Sequence, residues 1–404
     1  MKNKKTKILI VAMKYFPASG GSASYAYNMA VGLQRQGYEI LLLAPHYKHR
    51  EMDDSNSPFK IKRLRYARKI KGYARKIKAL DIINRILFAA VQILIHYIRF
   101  KPDVVWATSF AGCRTLGVLT FLNAKFIATI HGGGIHRRYP SKKISNKITD
   151  WFGLRFMNRA DALVTISEDS KKIFVKKLPY ENILNKIKVI YNSLDFDENT
   201  FFTQKQALAE LSALKNKKII LTVGRLVAAK GHDVVIKSIK LLKKKFPDIL
   251  YIIVGEGIEK ETLIKLVQDE KLEDTVIFTG YVTARELEMY YAICDLFVMA
   301  GRWTAKFVEG FGLVYIEAGL RGKAVIGTNV GGIPEAIIEN KTGYIIEPEN
   351  PNILADKIEY LFKNEKIRKQ MGAFASKYIK EHYSNEVMAG HNSDLIKDII
   401  NKKN

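Results

Sequence analysis

Short apolar runs without polar alternation recur along the whole chain and leave few architectures open. In the first half they are KILIVAM (7–13), EILLLA (39–44), DVVWA (103–107), KFIATI (125–130), ALVTI (162–166) and KVI (188–190). In the second they are KIILTV (218–223), LYIIVG (250–255), TVIFTG (275–280), LFVMA (296–300), AVIG (324–327) and YII (344–346). A strand with one wet face alternates apolar and polar residues, so a run that does not alternate is covered on both faces. Segments with helical spacing separate the runs, and each half therefore reads as a parallel sheet between helices. The 404 residues exceed one ordinary core, and the apolar pattern breaks at Asn192-Ser-Leu-Asp-Phe-Asp-Glu-Asn199. The expectation is an α/β chain of two parallel-sheet domains, residues 1–195 and 196–383, facing each other across a cleft. The loops that follow the strands then lie along one edge, where open α/β sheets bind ligands.

With 48% hydrophobic residues, 27 glycines and 10 prolines, the chain reads as globular and ordered. Its two cysteines, Cys113 and Cys294, lie far apart, which argues for a reducing compartment and against a disulfide scaffold or a zinc site. At the amino terminus the apolar run Ile8–Met13 is too short for a signal-peptide core and reads as the first buried strand.

Charge is unevenly shared. Residues 1–200 hold 36 Lys and Arg against 14 Asp and Glu, a net +22 of the chain's +26. Between Lys60 and Lys101 there are 13 basic residues and one acid, Asp81, with a cluster at Arg63, Arg65, Arg68, Lys69, Lys71, Arg75, Lys76 and Lys78. An uncharged run, Ile86–Ile98, follows. It falls short of the ~20 residues that span a bilayer, so it is expected to lie on a membrane rather than cross one. A basic surface beside an apolar helix suits anionic lipid head groups; a solvated basic loop before a core helix is the plainer alternative. No zinc finger, RNP-type aromatic signature or recognition helix supports nucleic acid as the partner.

Chemistry-bearing residues follow the second-half strands. Glu309-Gly-Phe-Gly-Leu-Val-Tyr-Ile-Glu317 sets two carboxylates eight residues apart around a glycine-rich turn that opens an apolar helical stretch. With most of the segment helical, a rise of ~1.5 Å per residue separates them by about 12 Å, comparable to the reach from a sugar to the ribose across a diphosphate. The helix start offers backbone N–H groups and the positive end of its dipole to an anion, and Gly310 and Gly312 allow close approach. Alone, the segment is equally an acidic loop before a core helix. In Gly224-Arg225-Leu-Val-Ala-Ala-Lys230-Gly231-His232, both Arg225 and Lys230 can reach one diphosphate and neutralise a departing leaving group. Alone, they are two surface cations. Pro17-Ala-Ser-Gly20-Gly21 opens another helix in the first half, a second phosphate-sized start without the G-x-G-x-x-G fingerprint.

Together these motifs resemble the family-four retaining glycosyltransferases of the GT-B fold, in which two Rossmann-like domains face each other. The resemblance covers almost the whole chain. It is carried by Gly20-Gly21, His131-Gly-Gly-Gly, Val223-Gly-Arg-Leu through Lys230-Gly231, Val254-Gly-Glu-Gly257, Phe278-Thr-Gly-Tyr-Val282, Glu309 to Glu317, and Gly331-Gly-Ile-Pro-Glu335. It implies an acceptor-side domain at 1–195, a nucleotide-sugar domain at 196–383, and a final helix at 384–404 crossing back to the first. Arg225 and Lys230 would clamp the donor diphosphate after Gly224, with Gly21 approaching it from the first domain. Glu309 would bind sugar hydroxyls, backbone at Phe311, Gly312, Leu313 and Val314 would meet sugar and phosphates, and Glu317 would hold the ribose. Main chain at Tyr281 and Val282 would border the base, and His131 would stand between sugar and acceptor. His136, Arg137 and Arg138 are alternatives for an anionic acceptor, and the loop Gly301–Val308, with Trp303, borders the donor site or packs.

The resemblance implies transfer of a hexosyl group from a nucleotide sugar to a hydroxyl of a glycan or lipid-linked acceptor with retention, through same-face attack. A UDP-sugar is placed ahead of GDP-mannose. The expected setting is cytoplasmic, peripheral on the inner membrane face, as in cell-surface polysaccharide or glycolipid synthesis; a soluble acceptor and a non-catalytic subunit are the alternatives. No cofactor or metal is expected. Asp195-Phe-Asp197 imitates a D-x-D metal motif but reads as turn chemistry, and no G-x-S-x-G elbow accompanies the His131 loop.

Overall fold

The computed structural model describes residues 5–17, 20–47, 54–65, 78–131, 144–178, 181–305 and 307–402. Within the basic cluster, Arg68, Lys69, Lys71, Arg75 and Lys76 lie outside the described residues, as do Gly132–Gly134, His136, Arg137, Arg138 and Lys306. The chain divides into two compact units, Met1–Ser193 with Asn385–Asn404, and Leu194–Ser384.

Unit 1 runs β1 (Lys7–Val11), α1 (Gly21–Arg35), β2 (Glu39–Pro45), β3 (Lys60–Leu64), α2 (Lys78–Phe100), β4 (Val104–Ala107), α3 (Phe110–Leu116), β5 (Lys125–Ile130), α4 (Ile144–Arg159), β6 (Ala162–Thr165), α5 (Glu168–Lys177), α6 (Glu181–Leu184) and β7 (Ile187–Val189). Its strands form one sheet in the order β3-β2-β1-β4-β5-β6-β7, every pairing parallel. The central apolar runs become strands with both faces covered, as in β1, where Ile8, Leu9, Ile10 and Val11 are all inaccessible to solvent; the edge strand β7 leaves Lys188 exposed. The edge strand β3 was not among the apolar runs, because Lys-Ile-Lys-Arg-Leu mixes charge into a strand with one wet side.

The uncharged run Ile86–Ile98 sits in a longer helix than expected, and the stretch Ile82–Phe100, 19 residues, has the length and composition of a membrane-crossing segment. In unit 1, however, Ile86, Ala89, Ala90 and Ile93 of α2 are buried, Ala90 and Ile93 in one core with Leu9, Leu43, Phe110 and Phe156.

Unit 2 runs α7 (Gln204–Glu210), β8 (Lys218–Val223), α8 (His232–Leu242), β9 (Ile249–Val254), α9 (Lys260–Asp269), β10 (Val276–Gly280), α10 (Ala284–Ile293), β11 (Leu296–Val298), α11 (Leu313–Leu320), β12 (Ala324–Thr328), β13 (Gly343–Ile346), α12 (Pro351–Lys363) and α13 (Glu365–His382). Its sheet has the order β10-β9-β8-β11-β12-β13, again with parallel pairing throughout. The order reverses at β8, so the loops after β8 and β11 flank the switch point where such sheets bind ligands. The last helix, α14 (Asn385–Asn401), belongs to unit 1 and packs on α1. There the Tyr38 hydroxyl meets Ser393 Oγ at 2.8 Å, and the Asn28 amide donates to the Ser193 carbonyl at 2.7 Å.

Candidate functional site

In unit 2 the loop between β8 and α8 carries Arg225 and Lys230, and the loop before α11 carries Glu309. The Lys230 ammonium is ion-paired with Glu309 Oε2, the two side chains only 12% and 16% exposed. Arg225 and Lys230 both stand over the ring of Phe307, at 5.4 and 5.9 Å from its centroid. Burial works to raise the Glu309 carboxyl; the Lys230 charge and hydrogen bond, the Gly310 N–H and the Arg225 charge overcome it and hold the group below its ordinary range. The site thus concentrates two cations and one ionised carboxylate within a partly dry loop cluster.

Its backbone is fixed from behind. Gly231 turns from the Lys230 loop into α8 at φ 68°, and a Cβ there would lie 1.7 Å from the Ala300 carbonyl oxygen. His232, 1% exposed, donates Nε2–H to the Arg225 carbonyl at 3.2 Å, since a carbonyl only accepts. The Arg302 N–H donates to the Ala229 carbonyl at 3.0 Å, while the Arg302 side chain is ion-paired with Asp233. Across the cluster the Gly332 N–H donates to the Glu309 carbonyl at 2.9 Å; a Cβ on Gly331 would come within 2.3 Å of that same oxygen.

From Glu309 to Gly312 the chain is a loop, and helix begins only at Leu313. The helical spacing expected between the two glutamates therefore applies only to their second half. Gly312 caps α11, Phe311 is buried against Tyr383 with ring centroids 5.5 Å apart, and Leu313 and Val314 are half-buried in the first turn. Glu317, one turn further on, is not bonded to Lys230 or Arg225. Its Oε2 accepts from the Tyr291 hydroxyl at 2.8 Å, and burial pushes its carboxyl up against the opposing pull of that bond and of Arg321. Gly224 follows β8 directly, while Tyr281 and Val282 follow β10, with Tyr281 82% exposed. In the loop Gly301–Val308, Trp303 is half-exposed; Thr304 Oγ1 bonds both the N–H and the carbonyl of Phe307, setting the ring beneath the two cations. Asp197 accepts from the Asn199 N–H at 3.0 Å and caps a short turn.

In unit 1, Gly21 opens α1 and His131 follows β5. His131 donates Nε2–H to the Thr108 carbonyl at 3.0 Å, and Tyr25 meets its ring edge-on at 5.1 Å. Burial, with a contribution from Lys14, lowers this imidazole to about 4, so it is neutral near pH 7 with Nδ1 as its acceptor. Three residues that sequence reasoning gave no role, Phe307, Tyr291 and His232, hold the candidate groups in place. His232 had a signal, a histidine directly after Lys230-Gly231, and Phe307 lies in the loop Gly301–Val308 expected to border the donor site or pack; Tyr291 acts through a contact between separate elements and had none.

Residues 19–198 match the family model Glycosyltransferase Family 4, and residues 204–378 match Glycosyl transferases group 1. A GDP-mannose-dependent alpha-(1-6)-phosphatidylinositol monomannoside mannosyltransferase of Mycobacterium tuberculosis is 31% identical over 206 residues, 50% of this chain and 54% of that one. In that match the chain spans about half the length of its relative. The enzyme of the same name from Mycolicibacterium smegmatis is 25% identical over 373 residues, 90% of this chain and 91% of the relative. The sucrose-phosphate synthase from Thermosynechococcus elongatus superposes with a TM-score of 0.80 over 99% of this chain and 100% of its own, at 18% identity, a likeness of fold. Two parallel-sheet units, matched one after the other by these two family models, make the chain a member of the family-four, group 1 glycosyltransferases of the GT-B fold.

Proposed function

We propose that this protein transfers a hexosyl group, with retention, from a nucleoside diphosphate sugar to a hydroxyl of a lipid-linked or glycan acceptor at the cytoplasmic face of the membrane. The observation that carries the reading is the Lys230–Glu309 pair with Arg225 beside it over Phe307. An ammonium has three N–H donors, so Lys230 can keep Glu309 and still meet phosphate oxygens. Arg225 adds a planar donor fork, and the two cations offset charge as the diphosphate leaves. Ionised Glu309 accepts from sugar hydroxyls, Glu317 from the ribose, and backbone at Phe311–Val314 meets sugar and phosphates. Tyr281 and Val282 border the base. Unit 1, the acceptor side, contributes Gly21 near the diphosphate and neutral His131, whose Nδ1 accepts from a hydroxyl of sugar or acceptor.

The acceptor oxygen bonds the anomeric carbon on the face from which the diphosphate departs. The carbon–oxygen bond to the diphosphate breaks, and the acceptor's proton passes to a phosphate oxygen of the leaving group. Arg225 and Lys230 supply the charge that a metal supplies elsewhere, so none is required. The donor is read as a UDP-sugar; GDP-mannose is the second reading, supported by the mycobacterial relatives, which are named as GDP-mannose-dependent. The same relatives are named as phosphatidylinositol monomannoside mannosyltransferases, which supports a lipid-linked substrate here.

The test is release of UDP or GDP from a panel of nucleotide sugars, with and without anionic vesicles carrying extracted lipid acceptors. Release from one donor, dependent on the lipid acceptor and lost in Glu309→Ala, is the expected result. Turnover indifferent to vesicles would move the acceptor into solution, and absence of nucleotide binding would sink the transferase reading for this chain.

A further inference from the structure

Helix α2 has a second apolar face that no element among the described residues covers. Leu87, Phe88, Val91, Ile95 and Ile98 are 41–60% exposed. At about 100° per residue they fall within about 100° of arc, opposite the buried Ile86, Ala89, Ala90 and Ile93. Arg85, Gln92, His96 and Arg99 line one border of that arc. The Gln92 side chain bonds both the N–H and the carbonyl of Arg65, at 2.9 and 3.1 Å, which sets the end of β3 along this polar border. Burial depresses the His96 imidazole, and the charges of Lys62, Arg99 and Lys60 depress it further, so these cations act on the same border. At the far end the Tyr97 hydroxyl donates to the Asn123 carbonyl at 2.9 Å, and the turn so held carries Phe121, 69% exposed.

We propose that this face of α2, extended by Phe121, lies in the boundary of an anionic lipid bilayer, with Arg85, Arg99, Lys60, Lys62 and Arg65 at the head groups. The assignment rests on the membrane-face reading above and gives it a surface. Five large apolar side chains on one exposed stripe are a patch that water does not favour. A cationic border complements anionic head groups, each charge near the surface adding to the attraction. The same border opposes a second copy of the chain, whose own cations would meet it. Crossing the bilayer would strip Ala90 and Ile93 from the core of unit 1 and break the Gln92–Arg65 clamp, so the helix lies flat.

The test is co-sedimentation of the full-length protein with phosphatidylcholine vesicles, alone or mixed with phosphatidylglycerol, without donor or acceptor. Binding is expected to require the anionic lipid and to weaken about tenfold or more in a Val91→Ser, Ile95→Ser, Ile98→Ser variant, whose substitutions are all on the exposed stripe. Since Cys113 and Cys294 are both buried, a fluorophore on Ile98→Cys is selective, and nitroxide-labelled lipids are expected to quench it. Equal binding to both vesicles, unchanged binding by the triple variant, or a concentration-dependent dimer that this variant abolishes would each overturn the assignment. The two readings fail separately. Vesicle-dependent turnover that survives in the triple variant removes the α2 surface and leaves the transferase; α2 binding with turnover indifferent to lipid acceptors keeps the α2 surface and moves the acceptor into solution.

Discussion

Lys230 and Glu309, 79 residues apart in the chain, form an ion pair on two loops of one sheet edge, with both side chains largely withdrawn from water. Removing either partner leaves the other under-compensated and removes a group assigned to the donor. Glu309→Ala and Lys230→Ala are each expected to lower kcat/KM by about a hundredfold or more. The double variant is expected to lose much less than the sum of the two single losses expressed as free energies. A double-mutant cycle on nucleotide release measures this, and strictly additive losses would mean that the pair does not act as a unit.

The same pair predicts an acid limb. Glu309 is held below its ordinary range, so the stability it contributes is present above the unfolded carboxylate value of about 4.3 and is lost as pH falls through the lower folded value. Thermal unfolding of the wild type is expected to weaken at low pH more steeply than that of Glu309→Gln, which carries no ionisable group there. Parallel pH profiles would show that the carboxylate is not the titrating group.

Tyr291 is a positioning residue for Glu317. It is 1% exposed and its hydroxyl bonds Glu317 Oε2, while the Arg321 guanidinium stands 4.8 Å from its ring and is paired with Glu288. Tyr291→Phe keeps the packing and deletes one donor to a partly buried carboxylate, a loss of about 1 kcal/mol. Titration calorimetry with UDP and GDP is expected to show several-fold weaker nucleotide binding with kcat little changed, because the ribose contact proposed for Glu317 would be made equally in ground and transition states. A collapse of kcat at unchanged affinity would contradict the role.

Both sheets were legible because parallel strands buried on both faces must be apolar throughout, as the central strands β1, β4, β5, β6, β8, β9, β11 and β12 are, and because the edge strands β7 and β10, wet on one side, still lie on short apolar runs. β3 was not, since an edge strand tolerates Lys60, Lys62 and Arg63 on its wet side. Arg225, Lys230, Glu309 and Glu317 could be picked out as residue types suited to a nucleotide sugar. That Lys230 meets Glu309 while Glu317 turns to Tyr291 could not, because each contact depends on how loops from separate strands meet. The exposed stripe of α2 was half legible: its apolar residues are plain in the chain, but which of them face the core is decided by packing against β1, α3 and α4.

Two buried imidazoles shape the pH dependence of stability. Burial lowers His232 to about 4 from an ordinary value near 6.5, and His131 likewise to about 4. Between those values the unfolded chain binds more protons than the folded one, so stability falls as pH drops from about 6.5 towards 4. For His232, almost wholly buried, the linkage is on the order of 3 kcal/mol. His232→Asn, which can still donate towards the Arg225 carbonyl but does not titrate, is expected to flatten the pH profile of thermal unfolding and to raise the donor KM more than it changes kcat. A profile as steep as that of the wild type would mean that His232 is already protonated in the fold.

The cation pair also fixes what a chelator should do. A nucleoside diphosphate needs its developing charge met as the sugar leaves. Arg225 offers a guanidinium fork, Lys230 has N–H donors beyond the one engaged with Glu309, and α11 begins immediately after the Glu309 loop. With that charge supplied by the chain, sugar transfer is expected to continue at an unchanged rate in EDTA and to gain nothing from added magnesium or manganese. Arg225→Ala is expected to lose about a hundredfold in kcat, with no recovery on adding either ion. Activity abolished by EDTA and restored by a divalent ion would assign the leaving-group charge to a metal and remove Arg225 and Lys230 from that role.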